Sequence, residues 1–231
     1  MKLLAFETAT EACSVALYLD GEVVERFEVA PRRHAELSLP WAEQLLAGAG
    51  VKKSQLDAIA VGRGPGAFTG VRLAIALAQG IALALDRPVV PVSTLRALAA
   101  QGQGGRILAA IDARMGEVYA ATFRRDGDDV LATGDEVVVA PADCALPGQD
   151  DDWIGVGTGF AAESTALQSR LHDRFSRIDA AALPHAADVA KLAALAYMRG
   201  EAVAAELIEP AYLRNNVALT LEEQKALRMA R

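Results

Sequence analysis

The chain has 231 residues, 52% of them hydrophobic, enough to bury one large core or two ordinary ones; two small domains are expected. Its net charge is −7 and its pI about 5.1, with Lys and Arg scattered, which argues against a stand-alone nucleic-acid binder. Cys13 and Cys144 stand far apart, which gives no disulfide framework or zinc motif and suits buried thiols in a reducing compartment.

The opening "MKLLAFETATEA" is too poor in apolar residues for a signal-peptide core. The run Val71 to Leu85 is shorter than the ~18–20 residues of a membrane span and carries Arg72, Gln79 and Gly80. A cytoplasmic protein with no membrane contact is expected. Leu3 to Phe6 and Cys13 to Leu19 read as strands, and Asp20-Gly21 as a hairpin turn into a third, Glu22 to Val29. A helix follows from about His34 to Ala47, with Pro40 in its first turns or bending it. Asp57 to Val61 reads as a strand, Gly70 to Leu85 as a helix with Thr69 as its N-cap, and Pro88 to Val92 as a strand followed by another helix.

"QGQGGR" at 101–106 marks a boundary, after which the pattern restarts. "ILAAIDARMGEVYAATFRRDG" at 107–127 parallels "LLAFETATEACSVALYLDG" at 3–21, and "WIGVGTGFAAESTALQ" at 153–168 parallels "AIAVGRGPGAFTGVRLA" at 58–74. A duplicated α/β domain is expected, although α/β proteins also repeat such units without duplication. The expected divisions are a first lobe at 1–103, a smaller second lobe at 104–209 and a C-terminal segment at 210–231 that can pack back on the first lobe. Two such halves face each other across a cleft, with Glu7 and Asp112 at equivalent strand ends.

The chemistry-bearing residues are few. His34, His172 and His185 are never three or four apart, so no metal motif is present. His34 is expected to begin a helix rather than to act as base or ligand. No serine sits in a G-x-S-x-G elbow. Glu7, Thr8, Asp112, Gly155 and Gly157 are the candidates for facing a nucleotide in the cleft, although strand-end acids equally cap turns. "GRGPGAFTG" lacks the order of a phosphate loop, and Pro65 removes an amide from it. It reads better as a stiff turn launching a helix. That helix is apolar around most of its circumference, and its own sheet covers only part of such a surface. An interface is expected at Leu37, Trp41, Leu45, Val71, Ala74, Leu77, Ala78 and Ile81, with small residues admitting a partner helix; a core sealed within the monomer is the alternative.

Several segments together resemble one family: "FETATEACSVALYLDG", "RRHAELSLPWAEQLL", "GRGPGAFTGVRLAIALAQGIAL", "PVSTLRALA", "IDARMGEVYAATF" and "EPAYLR". They are similar to the TsaB, or YeaZ, family over most of the chain. The resemblance implies the duplicated actin/Hsp70-like (ASKHA) ATPase fold, and a non-catalytic subunit that binds and activates the TsaD catalytic subunit. TsaD, with TsaE, would transfer the threonylcarbamoyl group to adenosine 37 of tRNA. In TsaD a metal-binding H-x-x-x-H helix follows the strand equivalent to Val89–Val92, and the matching positions here are Thr94 and Leu98. The resemblance therefore implies no peptidase or metal site, no tightly bound cofactor, and ATP, ADP and metal on the TsaD and TsaE partners. It also implies a homodimer through the same helices when alone, and tRNA only through the complex. The family commonly has aspartate and serine where Glu7 and Ala9 stand, which weakens ATP use. The alternative is a small-molecule kinase or ATPase of the same fold class.

Overall fold

The computed structural model describes residues 1–214. Strands β1 (Lys2–Glu7), β2 (Ala12–Leu19) and β3 (Glu22–Val29) form the opening meander. The turn between β2 and β3 has positive φ at both Asp20 (49°) and Gly21 (109°), matching the right-handed twist of the paired strands. Helix α1 (His34–Gly48) carries Pro40 in its interior. Then come β4 (Ala58–Gly62), α2 (Phe68–Leu85), β5 (Val89–Val92) and the short α3 (Thr94–Ala99).

The second half supplies β6 (Arg106–Arg114), β7 (Glu117–Asp126), β8 (Asp129–Ala132), β9 (Val137–Val139), β10 (Trp153–Val156), α4 (Ala166–Leu171), β11 (Phe175–Asp179) and α5 (Ala186–Met198). The first sheet runs β3-β2-β1-β4-β5 and the second β8-β7-β6-β10-β11, with β9 added beside β7. In each the first strand pairs antiparallel with the second and parallel with a later strand, β1 with β4 and β6 with β10. The duplication read from the two sequence repeats is therefore the duplication of the fold, two related α/β lobes.

Helix α3 leaves the first lobe and packs on β6 and β7, while α5 leaves the second and packs on β1, β2 and β4. These two helices lie between the sheets. One continuous core joins Leu3, Ala5 and Ala60 to Leu95 and Leu98, Ile107 and Phe123, and Val189 and Leu192. The reason is visible in β1, whose run "KLLAFE" is buried from Leu3 onward and so must be covered on both faces. Its outer face is covered by α1 and α2 through Leu4, Phe6, Leu45, Ala74 and Ala78. α4 covers the outer face of the second sheet, where Leu108 meets Leu167.

The lobes are also pinned by polar contacts. Glu25 on β3 accepts from the Ser14 hydroxyl at 2.6 Å, from His185 Nδ1 at 2.9 Å and from the Ala187 amide at 3.0 Å. The Ser14 hydroxyl accepts from the Ala186 amide at 2.8 Å. Two side chains of the first lobe thus satisfy the exposed N–H groups at the start of α5, a helix of the second lobe. Phe27 stacks on the His185 ring at 4.0 Å.

After α5 the chain returns to the first lobe. Val203 forms an antiparallel bridge with Val89, the Gln79 side chain donates to the Ala205 carbonyl at 2.9 Å, and the Ala211 amide donates to the Arg63 carbonyl at 2.9 Å. The contact begins ahead of the division expected at 209. The segment "LTLEEQKALRMAR" lies outside the described residues.

Candidate functional site

The glycine loop between β4 and α2 is held by main-chain bonds to its neighbours. The Arg63 amide donates to the Val92 carbonyl at 2.9 Å, the Ala67 amide to the Ala9 carbonyl at 2.7 Å, and the Gly64 carbonyl accepts from the Thr94 amide at 2.8 Å. Gly70 has to be glycine because a Cβ there would stand 1.9 Å from the Thr8 carbonyl oxygen. The amides of Arg63 and Ala67 are thus already spent, and the loop serves as the stiff turn expected. Thr69 is not the N-cap. Ala67 is, without a side-chain bond, because pinning Ala67 to Ala9 starts the helix before Thr69 is reached.

Glu7 lies beneath this loop. It is 1% exposed. One carboxylate oxygen accepts from the Ala9 amide at 2.7 Å and the other from the Thr94 hydroxyl at 2.9 Å. A Cβ on Gly62 would fall 1.9 Å from a carboxylate oxygen, so the missing side chain of Gly62 is the space Glu7 fills. Burial raises the Glu7 pKa to about 7, against the lowering effect of the Ala9, Thr94 and Thr8 bonds. Thr8 is also fully buried, its hydroxyl donating to the Gly70 carbonyl at 2.7 Å.

A cleft of about 1100 Å³ opens between the lobes. Of the five candidates for facing it, Asp112 alone lines it, joined by Thr158, which sequence reasoning did not single out. Glu7 and Thr8 are corrected to buried positions that hold the loop 62–70. Gly155 and Gly157 also lie behind the cleft wall: a Cβ on Gly155 would meet the Phe160 ring at 2.6 Å, and one on Gly157 the Ala110 carbonyl oxygen at 2.2 Å. These glycines let elements of the second lobe approach one another. The Asp112 carboxylate is engaged by the Arg114 amide at 2.7 Å and the Arg114 guanidinium at 2.8 Å. His34 begins α1, its Nε2 2.9 Å from the Thr10 carbonyl. Among the described residues no three His, Cys, Asp or Glu side chains converge on a metal position, and Thr94 and Leu98 are fully buried.

The second candidate surface is the outside of α1 and α2. Here burial divides the expected interface residues. Leu37, Leu45, Val71, Ala74 and Ala78 are buried in the monomer and are corrected from partner contacts to core. The small residues Ala74, Ala78 and Ala82 recur every fourth position, so they share one line of the helix. That line faces the chain's own sheet rather than a partner. Trp41, Leu77 and Ile81 are half-buried at the border of this core. Outside them α2 presents Ala76, Gly80, Ala84 and Leu83, the last 64% exposed, and α1 presents Leu39, 46% exposed. The polar positions Arg72 and Gln79, seven apart, face the returning C-terminal segment through Tyr212 and Ala205.

Comparison with known proteins places this arrangement. Residues 27–221 match the family model described as "TsaD: tRNA N6-adenosine threonylcarbamoyltransferase". The chain is 43% identical over 229 residues to the tRNA threonylcarbamoyladenosine biosynthesis protein TsaB of Escherichia coli, covering 94% of this chain and 96% of that protein. It is 40% identical to TsaB of Haemophilus influenzae, covering 94% and 95%. Among solved structures, YeaZ from Pseudomonas aeruginosa superposes with a TM-score of 0.86 at 47% identity, covering 92% of this chain and 99% of that one. A fold shared over nearly its whole length, together with identity well above 30%, shows that this chain belongs to the TsaB (YeaZ) family of tRNA threonylcarbamoyladenosine biosynthesis proteins.

Proposed function

We propose that the chain is a non-catalytic scaffold subunit of tRNA N6-threonylcarbamoyladenosine modification, which binds and activates a TsaD-like catalytic subunit. The docking surface is the outer ridge of α1 and α2, built on Leu39, Trp41, Ala76, Leu77, Gly80 and Leu83. A single observation carries this reading: α2 has a mean hydropathy of 1.7, yet among the described residues its outward positions stay uncovered after its own sheet and the returning stretch that holds Val203, Ala205 and Tyr212 have packed against the first lobe. An 18-residue apolar helix of this kind has the length and composition of a membrane span, but its Ala74, Ala78 and Ala82 are sealed against a sheet. The uncovered remainder is a ridge rather than a full circumference, which suits a partner protein.

In this reading the same ridge pairs two copies when the chain is alone. ATP, ADP and metal belong to the TsaD-like and TsaE-like partners, tRNA reaches the chain only within the complex, and the assembly works in the cytoplasm. An ATPase or kinase reading draws less support, because the one fully buried strand-end acid, Glu7, is turned away from the cleft.

The test uses Ala76→Arg and Leu83→Glu, two exposed positions of the ridge. Both variants are expected to fold with stability within about 0.5 kcal/mol of the parent and to lose co-elution with the TsaD-like subunit of the same organism. Unchanged co-elution would remove the ridge assignment. Ala78→Arg is unsuitable for this purpose, because Ala78 is 0% exposed and the substitution would break the core.

A further inference from the structure

We infer that the mouth of the interlobe cleft binds a single-stranded segment of RNA, with an aromatic pair receiving a base and arginines receiving the flanking phosphates. The inference deepens the proposed function and rests on it: the RNA is the substrate of the complex, and this chain supplies part of the grip on it.

The observation is a local reversal of character. A chain of net charge −7 lines one cleft with Arg32, Arg72, Arg114 and Arg214 against two carboxylates, Glu11 and Asp112. Arg114 pairs with Asp112, and Arg214 with Glu117 just outside the lining. Arg32 and Arg72 form no ion pair among the described residues, so the described lining carries a positive surplus. The four arginines come from the turn before α1, from α2, from the β6–β7 hairpin and from the C-terminal segment. Arg214 and Arg114 lie together, Arg214 donating to the Arg114 carbonyl at 3.4 Å, while Arg32 and Arg72 line the cleft from other elements, a spread suited to successive phosphates of a strand.

The aromatic element is equally specific. Phe68 and Tyr212 stack at 5.8 Å with their planes 23° apart. The Arg72 guanidinium lies 3.7 Å over the Phe68 ring, and its Nε donates to the Tyr212 hydroxyl. Phe68 is 56% exposed and Tyr212 47%, so each keeps aromatic surface open. Aromatic faces beside fixed guanidinium groups are what unstacked bases of single strands use. A free metal-bound nucleoside triphosphate fits less well: the Ala67 amide is already bonded to Ala9, Asp112 is held by Arg114, and no metal-binding group of side chains is present among the described residues.

The test measures binding of an unmodified tRNA transcript to the reconstituted complex with the TsaD-like subunit, across a salt series, for the parent, Arg32→Ala/Arg72→Ala and Tyr212→Leu. Each lost phosphate contact lowers the slope of log K against log salt by about 0.7 for a single strand, so the double variant is expected to lose about 1.4. Losing one stacked base weakens binding roughly 10- to 100-fold. Size exclusion on the same samples reports assembly. Assembly intact with affinity and slope unchanged overturns the inference while leaving the scaffold reading in place. If parent and variants alike fail to assemble, the scaffold reading itself is lost, and with it the premise of the inference. Two other results overturn it: weakened binding of free ATP by the variants with tRNA binding retained, or assembly lost only in the cleft variants, which makes the mouth a protein contact.

Discussion

The buried carboxyl of Glu7 offers a quantitative test of how the loop 62–70 is held. Glu7 has no charged neighbour among the causes of its shift, and burial drives its pKa from 4.5 to about 7. Because the native state holds the proton more tightly than the unfolded chain, stability is greatest below about pH 4.5 and falls as pH rises to about 7, then levels. At 1.36 kcal/mol per pKa unit, this one group makes the fold about 2–3 kcal/mol less stable at pH 8 than at pH 5. Glu7→Gln keeps the shape, still accepts from the Ala9 amide, and can donate from its Nε2 to the Thr94 hydroxyl oxygen. It removes the titration. Urea unfolding of parent and variant at pH 5 and pH 8 therefore measures the difference, all other titrating groups being shared. The variant is expected to gain on the parent by that amount between the two pH values. Parallel pH profiles would refute the assignment of Glu7 as a buried, proton-binding group of the folded state.

Two further outcomes follow from the packing. Glu25 pushes the His185 pKa above its usual 6.5 through a direct hydrogen bond. His185 therefore contributes stability that is fully present below about pH 6.5 and lost as pH rises through its elevated native value. NMR titration is expected to show a midpoint above 6.5 that falls in Glu25→Gln; an unchanged midpoint would separate His185 from Glu25. Gly70→Ala would force a Cβ to within 1.9 Å of the Thr8 carbonyl, a backbone atom with no freedom to turn aside. It is expected to cost about 1–3 kcal/mol or more by thermal unfolding, whereas Gly80→Ala, with nothing within 4 Å of its Cβ, is expected to be neutral or stabilising by helix propensity.

The architecture was legible along the chain. Hydrophobic runs, the Asp20-Gly21 turn and the two repeated strand-turn-strand patterns are local signals, and local signals survive in a linear reading. The strands read between Leu3 and Val92 consequently lie where expected, to within a residue at their ends, whereas β8, β9 and β11 carried no signal that was read. What the sequence left open was direction. An apolar helix such as α2 carries no label saying which side meets its own sheet, and its alanine line suits close approach to either a sheet or a partner.

Burial in the folded chain settles the direction: Ala74 and Ala78 are 0% exposed and Leu83 is 64% exposed. The same holds for Glu7 and Asp112, which occupy matching positions in the two sequence repeats. One fills the space over Gly62 beneath a loop more than fifty residues away in sequence, and the other meets the cleft. Nothing local distinguishes the two acids, because what separates them is which distant backbone folds over each. Likewise Arg32, Phe68, Arg72 and Tyr212 are scattered through the chain and become a cluster only when the C-terminal segment returns to the start of α2. A site assembled by chain return depends on long-range packing, and that is where a pattern read along the sequence ends.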